Sequence, residues 1–215
     1  GVTTLIEMPL SIPPVIDEAS FRLKLDTATA NSVVDFALWG GLIPRSIREL
    51  KHLHELGCIG FKAFMSYAND EYPHTPDHHL LEAMYEIAKF GGLVGVHAEN
   101  ADVVKYWSEK LERQGVRDAD AYADGRPAVA ELDAMQRVIL FAGETGCRLH
   151  IVHMTVAEGG EMVNRAKARG VRVSNETCPH YLLFDKSALA EKGVFAKCNP
   201  PLRSAENREA LWEQL

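Results

Sequence analysis

The stretch "CIGFKAFMSYAND", residues 58–70, reads as a buried β-strand running into a polar loop, with one lysine, Lys62, in its apolar middle. Desolvating an ammonium without compensation costs several kcal/mol. Lys62 is therefore ion-paired, snorkelling, chemically altered, or not in a strand at all. A buried ion pair with a strand-end glutamate such as Glu7 is the simplest of these options.

On either side of this stretch the same pattern repeats. Short β-rich runs occupy residues 2–9, 34–41, 59–65, 93–99, 148–154 and 171–177, and amphipathic stretches of helical period lie between them, for example over 46–57, 77–92 and 128–146. Glycine follows most of the helical stretches, as helix C-termini prefer. Strand and helix in regular alternation require right-handed crossovers and a parallel sheet. An α/β fold of about six strands leaves two architectures, an open doubly wound sheet or a (βα)8 barrel lacking strands at its ends. No GxGxxG or GxxxxGK[ST] follows any strand, which weakens the nucleotide-binding version of the open sheet. Polar residues gather at strand C-termini instead: Glu7, Lys62, His97, His153 and Glu176. A barrel would bring such positions to the face where active sites of that fold are built. No linker, low-complexity segment or internal repeat interrupts the pattern, so residues 1–215 read as one partial barrel domain.

Composition excludes several classes of function. With 47% hydrophobic and 25% charged residues over 215 positions, the chain has the profile of a globular protein with a full core. A formal charge of -7 with scattered lysines and arginines argues against nucleic acid as a partner. No apolar run approaches the length that spans a bilayer, and the N-terminus lacks the charged and apolar regions of a signal peptide, so the chain reads as cytoplasmic, with no membrane partner. Its four cysteines, Cys58, Cys147, Cys178 and Cys198, form no CxxC pair and read as free thiols. The chain opens directly on a strand pattern and ends on an unfinished helical one, as a segment of a longer protein would.

His97 closes "LVGVHAEN" and His153 closes "LHIVHMT". A single strand-end histidine is more often a hydrogen-bonded core or cap residue than a ligand. Two such histidines on different strands, beside a buried lysine, suit a divalent metal that keeps an open position. Lysine as an ammonium has no lone pair to offer. Carboxylated by carbon dioxide it becomes an anionic ligand, and burial favours the neutral amine that reacts. His52, His54, His74, His78 and His79 lack a strand-end partner and read as solvated surface, with Asp77 as the N-cap of the helix that "DHH" opens.

The blocks "GVTTLIEMPL", "GFKAFMSY", "VHAEN", "LHIVHMT", "ETCPHYLLF" and "KCNPPLR", in this order and at these separations, resemble the cyclic amidohydrolases of the amidohydrolase superfamily. The likeness is strongest to the allantoinase branch, with dihydroorotases and hydantoinases/dihydropyrimidinases as relatives. The resemblance covers essentially the whole chain. It implies a metal-dependent (βα)8 TIM barrel, of which this segment holds about six of the eight strands. It also implies a hydrolase that opens a cyclic amide or ureide, allantoin to allantoate in the preferred case. Two divalent metals are expected, zinc or else manganese, cobalt or iron, bridged by Lys62 as N6-carboxylysine, with His97 and His153 on the second metal. By the same matching Tyr67 steadies the developing oxyanion, Asn199 and His180 contact the substrate, and the protein is a homo-oligomer, a tetramer or dimer. Cys178 is read as structural.

Two departures accompany the likeness. The family's His-x-His belongs upstream of Gly1 and its proton-transferring aspartate downstream of Leu215, so the segment carries three of six expected ligands. A rival of another class is a non-catalytic homologue serving as an oligomeric scaffold. Such a protein would be free to lose ligands, whereas this one keeps those its span could hold.

Overall fold

The computed structural model describes the backbone of residues 1–215 and every side chain except those of Ala119 and Asp120. Six strands are present: β1 (Thr4–Glu7), β2 (Asp35–Gly41), β3 (Gly60–Phe64), β4 (Leu93–His97), β5 (Arg148–Ile151) and β6 (Val173–Asn175). The helices are α1 (Glu18–Asn31), α2 (Leu50–Leu56), α3 (Asp77–Lys89), α4 (Ala101–Arg113), α5 (Ala119–Asp124), α6 (Ala128–Thr145), α7 (Ala157–Ala168), α8 (Pro179–Leu183), α9 (Ser187–Lys192) and α10 (Ala205–Trp212). Strand order follows chain order from β1 to β6. The pairs β1–β2 and β2–β3 are parallel, with Gly41 in register with Lys62. A doubly wound sheet must reverse its strand order at a switch point, whereas consecutive order without reversal is the winding of a (βα)8 barrel. The topology therefore settles the choice between the two architectures in favour of a barrel segment.

All six strands fall within the runs expected from sequence, and each is shorter than its run. The polar ends leave the ladder: His153 and Glu176, for instance, lie just beyond β5 and β6. The expected helix over 46–57 splits into a 3-10 turn at Pro44–Glu49 followed by α2. Asp77 is not the N-cap of α3. Pro76, in extended conformation, holds that position, and Asp77 begins the first turn, where its charge still favours the helix dipole.

The chain divides into two compact units, residues 1–96 with 141–149 and residues 97–140 with 150–215. In the first, every residue of β3 is buried, as strands covered on both faces are. Gly60 is required there, because an added Cβ would lie 2.5 Å from Cζ3 of Trp39. The loop after β3 is tied back to the sheet. Tyr72 is buried and packs edge-on against Phe64, its hydroxyl donates to the Lys62 carbonyl at 2.5 Å, and Thr75 donates through N and Oγ1 to the carbonyls of Phe64 and Leu42. A capping box between Asp17 and Ser20 starts α1.

In the second unit α7 packs tightly against α6 and the loop after β5. A Cβ on Gly159 would meet Met135 Cε and Met154 Sδ, each at 2.8 Å. Asn100 caps α4 by accepting from the backbone N–H groups of Asp102 and Val103, at 2.9 and 3.1 Å. This fixes the chain just after His97. Among the described residues no helix is long and apolar enough to cross a membrane.

Candidate metal site

Lys62 is 2% exposed in the middle of β3. Its Nζ donates to the Ala63 carbonyl at 3.2 Å and stands 3.8 Å from the centre of the Phe64 ring. Snorkelling is thereby excluded. Glu7, the simplest ion-pair partner expected from sequence, is engaged elsewhere: its Oε1 lies 2.9 Å from Nζ of Lys24. Tyr67 follows on the loop, 60% exposed, and donates its hydroxyl to Asp70 Oδ1 at 2.9 Å. That hydrogen bond to a carboxylate holds the phenol above its ordinary pKa.

The two histidines come together in the second unit. Nδ1 of His97 lies 3.2 Å from Nε2 of His153, with the rings near perpendicular. His97 is buried, and its other nitrogen, Nε2, is 2.6 Å from Glu99 Oε2. An ionised carboxylate only accepts, so the proton of a neutral His97 resides on Nε2 and Nδ1 presents a lone pair toward His153. His153 has φ +43°, a left-handed conformation that few non-glycine residues adopt and that costs about 1–3 kcal/mol. Such strain persists where surrounding contacts impose it.

Those contacts are a buried polar network that sequence reasoning did not identify. Glu99 is fully buried, and Arg126 Nη1 donates to its Oε2. Burial raises the Glu99 pKa above the ordinary carboxylate value, with Arg126 and Arg203 opposing it. Two residues beyond His153, Thr155 donates its N–H to Glu131 Oε1 at 2.7 Å and its hydroxyl to Glu131 Oε2. Arg203 donates from Nη2 to Glu131 Oε2 and from Nε to Thr155 Oγ1, both at 2.9 Å, and from Nη1 to the Arg126 carbonyl. Two carboxylate–arginine pairs thus brace the two histidines, one on the imidazole and one on the following backbone. A period-2 reading of "VHAEN" puts Glu99 on the same strand face as His97 and was available as a signal. Arg126 and Glu131 lie on a loop and a helix with no strand-end signal.

Of the remaining candidates, Glu176 also touches this pair, its carboxylate accepting from the His153 backbone N–H. Asn199 is exposed and its Oδ1 accepts from the Tyr122 hydroxyl. His180 packs against the Tyr181 ring at 4.1 Å and lines a cavity of about 260 Å³ with Phe184, Lys192, Lys197 and Cys198, and burial lowers its pKa. Glu176 pairs with His150 at 3.3 Å, and hydrogen bonding to that ring holds its carboxyl below the ordinary value. Burial raises the Cys178 thiol, in keeping with a structural role. Of the histidines read as solvated surface, His54 and His79 depart: both are half-buried, and the His54 ring stacks on Phe90 at 4.8 Å.

Among the described residues no three His, Cys, Asp or Glu side chains converge as a metal cage. The histidine pair nonetheless fits a metal. Two ligand nitrogens on tetrahedral bonds of about 2.05 Å are about 3.3 Å apart, which matches the 3.2 Å between Nδ1 and Nε2. A carboxylate behind the ligating imidazole is the arrangement such ligands ordinarily show.

No family model matches the chain. Along its whole length the chain is similar to allantoinases. It is 46% identical to that of Rubrobacter xylanophilus over 220 residues and 38% identical to that of Escherichia coli over 221, covering 48% and 49% of those proteins. Among solved structures, L-hydantoinase (dihydropyrimidinase) from Arthrobacter aurescens superposes with a TM-score of 0.97 at 35% identity, over 100% of this chain and 48% of that one. The chain spans about half the length of the curated relatives it matches.

Proposed function

We propose that this chain is a segment of a cyclic amidohydrolase that hydrolyses a ring amide C–N bond, with allantoin opened to allantoate. The observation that carries the reading is the facing pair of imidazole nitrogens, 3.2 Å apart at the ends of two strands, one of them backed by a buried carboxylate. Similarity to allantoinases along the full chain supports the choice of substrate.

His97 and His153 would hold a divalent ion, zinc or one of manganese, cobalt and iron, through Nδ1 and Nε2. By resemblance of its sequence block, Lys62 would be carboxylated and so become an anionic metal ligand. There the neutral amine adds to carbon dioxide, an N–C bond replaces one C–O π bond, and the nitrogen proton passes to water. The metal, when bound, supplies Lewis-acid polarisation of the ring carbonyl and a nucleophile from water at neutral pH. Tyr67 is placed on a loop and is already a hydrogen-bond donor. Turning from Asp70 to the carbonyl oxygen, it would stabilise the charge that develops there. Asn199, with Oδ1 engaged by Tyr122, would present its NH2 to a substrate carbonyl. His180, which lines a cavity with Lys197 and Cys198, would contact the substrate. The same reading makes the whole protein a cytoplasmic homo-oligomer.

The test is metal-dependent turnover by the full-length protein. Stripped of metal and reloaded with zinc, it should open allantoin with higher kcat/KM than hydantoin, dihydrouracil or dihydroorotate. No metal-dependent opening of any of the four would overturn the reading. Hydantoin as the best substrate would favour a second reading, a hydantoinase, which the 0.97 superposition supports.

A further inference from the structure

We infer that Glu99, held by Arg126, is a positioning residue that fixes the orientation of the His97 ring and so selects Nδ1 as the nitrogen offered to a metal. The inference rests on the functional reading above.

A histidine ring can rotate by half a turn about χ2 at little cost unless its two nitrogens meet different partners. Here they do. Glu99 stands two residues after His97, fully buried, with Oε2 2.6 Å from Nε2. A carboxylate at that place accepts from N–H and repels a lone pair, so one ring orientation and one tautomer are favoured together. The carboxylate cannot move away, because Arg126 donates to the same oxygen and the Arg126 carbonyl is in turn held by Arg203. The outcome is that Nδ1 faces His153 Nε2. The Glu131–Arg203 pair contacts neither ring and serves as an internal comparison.

The experiment uses the full-length protein and two readouts, zinc affinity by chelator competition and the imidazole N–H proton of His97 by NMR in metal-free protein. Wild type should show a strongly downfield N–H proton on Nε2, as a short hydrogen bond to a carboxylate produces. Glu99→Leu should lose that signal and weaken zinc binding about 10–100-fold. Glu99→Gln keeps an acceptor, so it should retain an N–H signal and lose about tenfold or less. Glu131→Gln should lower thermal stability and leave the His97 signal in place, whereas a merely structural role for Glu99 would make Glu99→Leu behave in the same way. Wild-type zinc affinity in Glu99→Leu, or a downfield His97 proton persisting in it, would overturn the inference. A wild type that binds no zinc would instead refute the functional reading, and the His97 proton would still decide the role of Glu99.

Discussion

Glu131→Met tests whether the strained backbone at His153 is imposed from outside. Glu131 is 1% exposed and accepts three hydrogen bonds, two from Thr155 and one from Arg203, whose side chain is 10% exposed. Methionine fills similar volume and accepts none of them. An orphaned buried N–H costs about 1–3 kcal/mol, and a buried cation deprived of its partner costs about 3–5 kcal/mol. The two costs overlap, since Arg203 keeps its bonds to the Arg126 carbonyl and the Thr155 hydroxyl. A total of about 3–5 kcal/mol follows, which at about 1.4 kcal/mol per decade is two to three and a half decades. Amide hydrogen exchange of the segment containing Thr155, followed by mass spectrometry on the metal-free full-length protein, should accelerate by that factor. Zinc affinity should fall as His153 relaxes toward negative φ. The double variant Glu131→Met/Arg203→Met removes both charges and should recover the part of the loss due to the unpaired cation, leaving that of the orphaned Thr155 N–H. Exchange at Thr155 within about threefold of wild type, or a double variant as labile as the sum of the singles, would refute the reasoning.

Three further outcomes are expected. Gly60→Ala places a methyl 2.5 Å from Trp39 Cζ3 and should lower stability by about 1–3 kcal/mol in denaturant unfolding, an unchanged midpoint contradicting the packing described. Tyr67→Phe should reduce kcat for ring opening about a hundredfold with little change in KM, whereas a change in KM alone would assign Tyr67 to binding. Glu176 has a folded-state pKa below its ordinary 4.5, so the unfolded chain binds more protons in that range and the contribution to stability is present above 4.5. It is lost as pH falls through 4.5 toward the folded value. The melting-temperature gap between wild type and Glu176→Gln should therefore be small, because Glu176 is half-exposed, present at neutral pH and absent in acid. A gap that widens in acid would reverse the assignment.

The fold was legible because strand and helix periods differ and each of the six strands carries its own apolar run. What sequence could not supply were boundaries set by hydrogen bonding, such as the cap of α3 at Pro76 or the 3-10 turn before α2. At the site the two histidines were legible as strand-end residues, and the structure brings their nitrogens within 3.2 Å. The bracing was not. Arg126 and Glu131 act from a loop and from helix α6, reaching their partners across 27 and 24 residues of chain, a distance no local period reports. Glu7 shows the opposite failure. It was a plausible partner for Lys62 by position, and Lys24 of α1 takes it by proximity. The roles proposed for Tyr67 and Asn199 rest on resemblance, while the structure shows Tyr67 donating to Asp70 and Asn199 accepting from Tyr122.

The central claim, that a buried lysine, two facing histidines and a metal open a cyclic amide, is tested most directly by zinc-dependent allantoin turnover of the full-length protein against its Lys62→Ala variant. The account predicts turnover in wild type, none above background in the variant, and partial recovery only when bicarbonate or a short carboxylic acid stands in for the missing carboxylate. Undiminished turnover in Lys62→Ala without any added acid would contradict it.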